Sequence, residues 1–482
     1  MYMMYRHELL GLLISSCLLT NCGGDGTPDF LGKPIGAMLT EETLEVANRD
    51  PATMSVGRDN SRSAFGKGDA NSGIAALASV QSALDSAKPG DVIQLGNLTK
   101  PESLHMKISG TKDKPIVIRS LAHQATIQDI LVDADYITIA GLNIHGPDSC
   151  GDTSESASSG RGILYRGQGG VIIDNDIDET CREGIEVGRA AESDSAIDML
   201  ILGNRIKHAV QAGILLYGRG HVASNNEVLH TRQRNRESDT LQGDADGIRF
   251  FGKEHTIAGN KIVAADYDGT KVQTAHIDCF QSWGPAESVV IDGNICEAFS
   301  DSGNQAEHAK GIQLSEEKGS IKDIIIRNNI IFGFRGITTS EMRGSGRIYL
   351  VYNLFSGDLR PFEGPNWPMA IDLGERTKAH VAGNILYNHR RSINAPKAQV
   401  EGGTNLIYQT DDIESDEDKR PEDLWSVKPN FENFDASNFK TRIDATIDIP
   451  TSDAIALEIS PSDIEGTLRP TTDVQHFGPY IP

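Results

Sequence analysis

Four residues with acid, base or anion-binding side chains stand at one recurring position of this chain: Asp246, Asp278, Lys310 and Arg335. Each directly precedes a short strand-like stretch. Two of these stretches, DGIRFFG (Asp246 to Gly252) and DCFQSWG (Asp278 to Gly284), read almost as copies that differ at their middle positions, Arg249 and Gln281. Aligned on this strand, the outward middle position carries Glu186, Leu215, Arg249, Gln281, Gln313 and Thr338 in successive units. Two residues further lie Phe251, Trp283 and Ser315, and two residues upstream of the Asp column lie Asp244, His276 and His308. Carboxylates can hold a hard cation or move protons, Lys and His can act as bases, and Arg binds carboxylates through its planar fork. Each residue also has an ordinary role. Asp before Gly is common turn chemistry, and loop His are commonly solvated. Aromatic residues pack under loops. The combination over adjacent units is what points to a site.

A repeat must position these residues. An apolar run followed by Asn and another apolar residue occurs nine times, at Asn143, Asn175, Asn204, Asn226, Asn260, Asn294, Asn329, Asn353 and Asn384, with spacings of 22 to 35 residues. A second strand lies between these hits, as in GIEV, GILL, GIRF, GIQL, GITT and AIDL. One unit cannot bury its own apolar residues, whereas stacked units can, each strand pairing with its equivalent one coil away at about 4.8 Å. Alternation sends Ile inward and the intervening residues outward, and stacked Asn side chains can hydrogen-bond along the ladder. The expectation is an all-β, single-stranded right-handed parallel β-helix. The stretch from Ser72 to Leu95 has helical apolar spacing before Pro89-Gly90, as expected of an N-terminal capping helix. The expected organisation is a signal peptide over 1–21, a tether and lead-in over 22–66, the solenoid over 67–400, and an acidic loop with a C-terminal cap over 401–482.

Composition agrees. High glycine (49 residues) and few aromatics (6%) favour a turn-rich β architecture, and a net charge of −23 argues against nonspecific binding to nucleic acid or anionic lipid. Against that acidic total, the segment LHTRQRNRESDTLQGD carries His230, Arg232, Arg234 and Arg236, with Arg219 and His221 just before it. This local reversal of charge suits carboxylate or sulfate groups, although Glu237 and Asp239 could neutralise it as a plain solvated loop.

Near the N-terminus, Arg6 and His7 precede the apolar run LLGLLISSCLL, which is too short to span a bilayer and fits a signal-peptide core. The following LLTNC resembles a bacterial lipoprotein box with Cys22 as the lipidated residue, Asn21 standing where a small residue is usual. The expectation is export, with a lipid anchor in the outer membrane or else secretion. In that oxidising setting Cys150 and Cys181, in turns of neighbouring units, are the favoured disulfide, and Cys279 and Cys296 read as small buried residues.

From about Ser72 to Tyr480 the chain resembles the right-handed parallel β-helix (pectate-lyase-like) proteins of bacterial polysaccharide metabolism, nearest to the polysaccharide lyases. The Asp, Asp, Lys, Arg order over adjacent coils is similar to calcium-dependent lyases of this fold. The resemblance implies β-elimination on an acidic, uronic-acid-containing polysaccharide. Asp244, Asp246 and Asp278 would hold Ca²⁺, and Lys310 or His276 would be the base, with His308 beside them. Arg335 or Arg249 would bind the carboxylate. Gln281, Gln313, Phe251, Trp283, Arg232, Arg234 and Arg236 would contact the polymer. A glycoside hydrolase using Asp246 and Asp278, a uronan C5-epimerase, or a glycan-binding surface lipoprotein are the alternatives. The GHG signature of polygalacturonases and the DPHD signature of epimerases do not occur.

Overall fold

The computed structural model describes residues 53–56, 79–96, 98, 100–120, 123–147, 150, 156–190, 195–232, 244–263, 277–298, 309–357, 368–408, 419–425, 446–448 and 474–478. Expectations for Cys22, Arg234, Arg236, His276 and His308 lie outside these residues, as does most of the C-terminal segment.

Three long sheets run the length of the molecule, two of twelve strands and one of thirteen. Every pairing within them is parallel, as between Ile185–Val187 and Gln211–Leu216. The chain winds through one strand of each sheet per coil, so residues about 30 apart in sequence become neighbours. Ile248, Phe250, Phe280, Ile312, Leu314 and Ile337 are fully buried and point inward, as alternation requires. With similar residues from the other two sheets they form one continuous apolar core.

A buried asparagine ladder links the coils at the corner between two sheets. Each Asn Oδ1 accepts both the backbone N–H and the side-chain N–H of the Asn one coil earlier, as Asn294 does from Asn260 at 2.9 Å. Each Nδ2 also donates to a backbone carbonyl, as Asn294 does to Ile257 at 2.9 Å. The ladder starts where the Leu142 N–H donates to Asn175 Oδ1 and continues to Asn405, whose amide groups donate to Asp423 Oδ1. Two details of the sequence pattern are corrected. Asn143 is one residue out of register, pairing with Asp176, and bonds the His123 carbonyl instead. Asn405 and Asp423 are members beyond the nine hits, and the sheets themselves run past residue 400 to Leu424–Trp425.

The N-terminal helix is shorter than its apolar pattern, spanning Val80–Asp85, with Ser79 Oγ accepting the Ser82 N–H as an N-cap. It places Val80, Ala83 and Leu84 over the first coil's interior. Thr53–Val56, inside the expected lead-in, adds a parallel strand beside Val92–Leu95. At the other end Thr446–Asp448 pairs antiparallel with Val474–His476. Phe477 then packs on the outer side of one sheet, against Ile330, Leu354, Ile385 and Leu406 of four successive coils. This part of the C-terminal segment covers the solenoid's flank.

Cys150 and Cys181 form a disulfide. Cys279 and Cys296 form a second, where the sequence reading expected separate buried thiols. Packing gives the reason. Gly247 and Gly311 occupy the equivalent corner in the flanking coils, where a Cβ would come within 2.5 Å of Ile262 Cγ2 and 2.2 Å of Ile331 Cγ2. In the middle coil Cys296 takes the Ile position of the register, which makes room for Cys279 at the Gly position. The covalent link replaces a contact that is closed to any side chain larger than Gly next door.

Candidate functional site

The third sheet presents two outward columns. The chain turns a corner just before each strand's midpoint, so residues i and i+3 both face outward and meet. Asp246 bonds Arg249, Asp278 bonds Gln281, Lys310 bonds Gln313 and Arg391 bonds Asn394. Register fixes the first column, with Ala212 opposite Asp246, Asp278 opposite Lys310, Lys310 opposite Arg335, and Arg335 opposite Met369. The Asp278 N–H donates to Asp246 Oδ1 at 2.9 Å, which links the remaining pair. The second column runs Glu186, Leu215, Arg249, Gln281, Gln313, Thr338 and Asp372. The structure therefore brings Asp246, Asp278, Lys310 and Arg335 into one line, one residue per coil. A third line holds aromatic rings: Tyr217 stacks on Phe251 at 5.1 Å, and Phe251 meets Trp283 at 4.6 Å.

The polar groups of this face are buried, and burial sets their electrostatics. Asp246 is fully buried, and desolvation pushes its carboxyl well above the usual carboxylate range against the pull of Arg249. Asp278 is raised to about 7, again chiefly by desolvation, with Lys310 one coil away opposing the shift. Asp278 Oδ1 and Gln281 Oε1 are buried acceptors without a hydrogen-bond partner among the described residues. Buried polar atoms are rarely left unsatisfied, so these two mark a place where a ligand can donate.

Arg249 sits between two carboxylates, donating from Nε to Asp246 at 2.5 Å and from Nη2 to Asp244 at 3.0 Å. Arg249 thus answers two of the three acids expected to hold Ca²⁺, and the third, Asp278, accepts from Gln281 Nε2 at 2.8 Å. Among the described residues the side chains with metal-ligand spacing are Asp178, Glu179 and His208, on a different sheet. Lys310 is buried and held by Gln313 Oε1. Arg335 is half-buried and donates to Asp372 Oδ2 at 3.3 Å, and Asn394 donates to Asp372 Oδ1.

Of the basic residues singled out in the sequence, two described ones are engaged away from this face. Arg232 pairs with Glu179 at 2.6 Å. His221 is fully buried, stacks on His255 at 4.8 Å, and uses both ring nitrogens on backbone groups. Site-face residues missed by the sequence reading include Tyr217, Asp372, Arg391 and Asn394. Asp372 lies on MAIDL, whose AIDL stretch the repeat had already marked, whereas RSIN, which carries Arg391 and Asn394, lacks the Gly of the earlier units.

A family model described as "Protein of unknown function (DUF1565)" matches residues 89–264. No curated protein matches. Among solved structures, the chain is similar to XylC in complex with xylose at 11% identity and a TM-score of 0.52, over 83% of this chain and 94% of that one. It is also similar to the pectate lyase Pel9A at 13% identity and a TM-score of 0.42, over 89% of this chain and 90% of that one. The family 6 alginate lyase AlyGC aligns at 13% identity and a TM-score of 0.45, over 83% of this chain and 58% of that one. With the all-parallel sheets, the chain is a right-handed parallel β-helix protein of the pectate-lyase-like architecture. At these identities the likeness is one of fold.

Proposed function

We propose that this protein is a polysaccharide lyase that cleaves an acidic, uronic-acid-containing polymer by β-elimination. The observation that carries the reading is the in-register line Asp278, Lys310, Arg335, which sets a primary amine between a carboxyl and a guanidinium on adjacent coils. In elimination the C5 proton leaves beside a carboxylate whose charge must first be answered. Arg335 binds that carboxylate, and Lys310 Nζ takes the C5 proton. The C5–H electron pair becomes the C4–C5 double bond, the C4–O bond breaks, and the glycosidic oxygen leaves with a proton from solvent. Gln313 orients the amine. A cation, where the reaction uses one, would be held by Asp244, Asp246 and Asp278, and no step is assigned to it.

The two disulfides support export to an oxidising compartment, which accords with a signal peptide and a lipid anchor at Cys22. The test is ultraviolet absorbance of unsaturated uronate ends during incubation with a panel of acidic polysaccharides, with and without EDTA. Lys310→Ala and Arg335→Ala should each abolish the rise while leaving circular dichroism unchanged. Turnover retained in both variants would overturn the assignment. A second reading, hydrolysis, draws on the raised pKa of Asp278, which suits a general acid. New reducing ends without unsaturation would identify it.

A further inference from the structure

The outward face changes character at one point along the solenoid axis. On the N-terminal side of the junction between the Asp278 and Lys310 coils stand the aromatic line Tyr217, Phe251, Trp283 and the acids Asp246 and Asp278. Two arginines there have carboxylate partners, Arg161 with Glu183 and Glu186, and Arg249 with Asp244 and Asp246, while Arg249 and Lys318 also lie over the Trp283 ring at 5.3 and 5.1 Å. Among the described residues, the buried side-chain atoms left over on this side are acceptors, Asp278 Oδ1, Gln281 Oε1 and Glu183 Oε2. On the C-terminal side the aromatic line gives way to Ser315 and Ser340. The first column becomes Lys310, Arg335, Met369 and Arg391, with Asp372 as the carboxylate of the second column.

Acceptors beside aromatic faces suit a ring that donates hydroxyls and carries no charge, since a carboxylate there would face carboxyls and unsatisfied oxygens. An ammonium followed by guanidiniums suits carboxylates. Coils repeat at about 4.8 Å, close to the length of one sugar in an extended chain, so successive sugars meet successive coils. We propose that the substrate is a mixed polymer, bound along the axis with uncharged sugar on the Tyr217–Trp283 side of the junction and uronate on the Lys310–Arg391 side. This deepens the lyase reading and rests on it for the polymer's position over Lys310.

Binding can be measured apart from cleavage. Titration calorimetry would compare three hexasaccharides of equal length on the Lys310→Gln protein: a homo-uronate, a chain of three neutral sugars joined to three uronates, and an uncharged chain. The two-block chain should bind about tenfold more tightly than either of the others. Trp283→Ala in the same background should weaken the two-block chain by a similar factor and leave the homo-uronate within about twofold. Equal or tighter binding of the homo-uronate would overturn the proposal, as would an equal loss for both chains in Trp283→Ala. Preference for the two-block chain without unsaturated product from the unsubstituted protein would sustain the two-sided face and remove the lyase chemistry.

Discussion

Replacing Asn294 by Ala tests the ladder that holds every coil in register. Its side chain makes four buried hydrogen bonds: Oδ1 accepts from Asn260 N and Nδ2, and Nδ2 donates to the Ile257 carbonyl and to Asn329 Oδ1. After truncation Asn260 Nδ2 keeps the Ala223 carbonyl, and Asn329 Oδ1 keeps the Asn294 N–H. The Asn260 backbone N–H loses its acceptor and stays buried, which costs about 1–3 kcal/mol. The other three bonds add about 1 kcal/mol each, for a total of about 4–6 kcal/mol. Asn143→Ala is the control, because the sequence pattern treats it identically while its side chain makes one bond among the described residues, to the His123 carbonyl. It should cost about 1 kcal/mol or less. Since each coil touches only its neighbours, the loss should appear as local opening, so amide hydrogen exchange at Asn260 is the assay, with urea unfolding beside it. If the two variants fall within about 1 kcal/mol of each other, the ladder is not what registers the coils.

Other outcomes follow from the same geometry. Cys150→Ser with Cys181→Ser opens a cross-link spanning 31 residues, and Cys279→Ser with Cys296→Ser one spanning 17; unfolding in urea should show losses of up to about 3–4 kcal/mol each. The inner pair should also lower thermal stability on reduction only once reductant reaches the core, so its loss should lag behind that of the outer pair. Phe477→Ala removes a buried ring from the flank of four coils and should cost about 3–4 kcal/mol in unfolding, with release of the 474–478 segment seen by limited proteolysis. Asp278→Asn tests the buried carboxyl: its folded pKa of about 7 lies above the unfolded value, so the folded state binds the extra proton. Stability should fall as pH rises from about 4 to 7, and the substitution should flatten that slope. An unchanged slope would place Asp278 in ordinary titration.

The fold was legible because burial in a solenoid imposes one rule on every coil. The apolar–Asn–apolar pattern exposed the corner, and the Gly-apolar strands exposed the site sheet, so the columns through Asp246, Asp278, Lys310 and Arg335 could be aligned by eye. What stayed hidden depended on contacts across the register. Asn143 satisfies the pattern, yet it falls one residue outside the ladder, and periodicity alone cannot detect a single-residue slip. The second disulfide had a signal that went unread: Cys279 replaces a corner Gly and Cys296 replaces the Ile that would strike it, a paired exchange within one coil. Arg249 looked like a free carboxylate binder because sequence spacing does not show that i and i+3 meet at this corner. His221 looked like part of a basic loop, whereas its ring completes a buried stack with His255.

The same register gives two buried carboxyls in adjacent coils different neighbours. Both lose water, which raises both pKa values. Asp246 has Arg249 in its own coil but acids on two sides, Asp244 and Asp278, and desolvation holds it well above the usual range. Asp278 has Lys310 in the next coil, and that ammonium holds it to about 7. Position along the axis, rather than residue type, thus sets which charged groups each carboxyl faces. The outward residues of DGIRFFG and DCFQSWG differ for this reason: inward positions repeat because every coil meets the same core. Outward positions vary because each coil lies at its own distance from the step between acid and base. The proposed chemistry is assigned to that step, where Asp278 and Lys310 are neighbours.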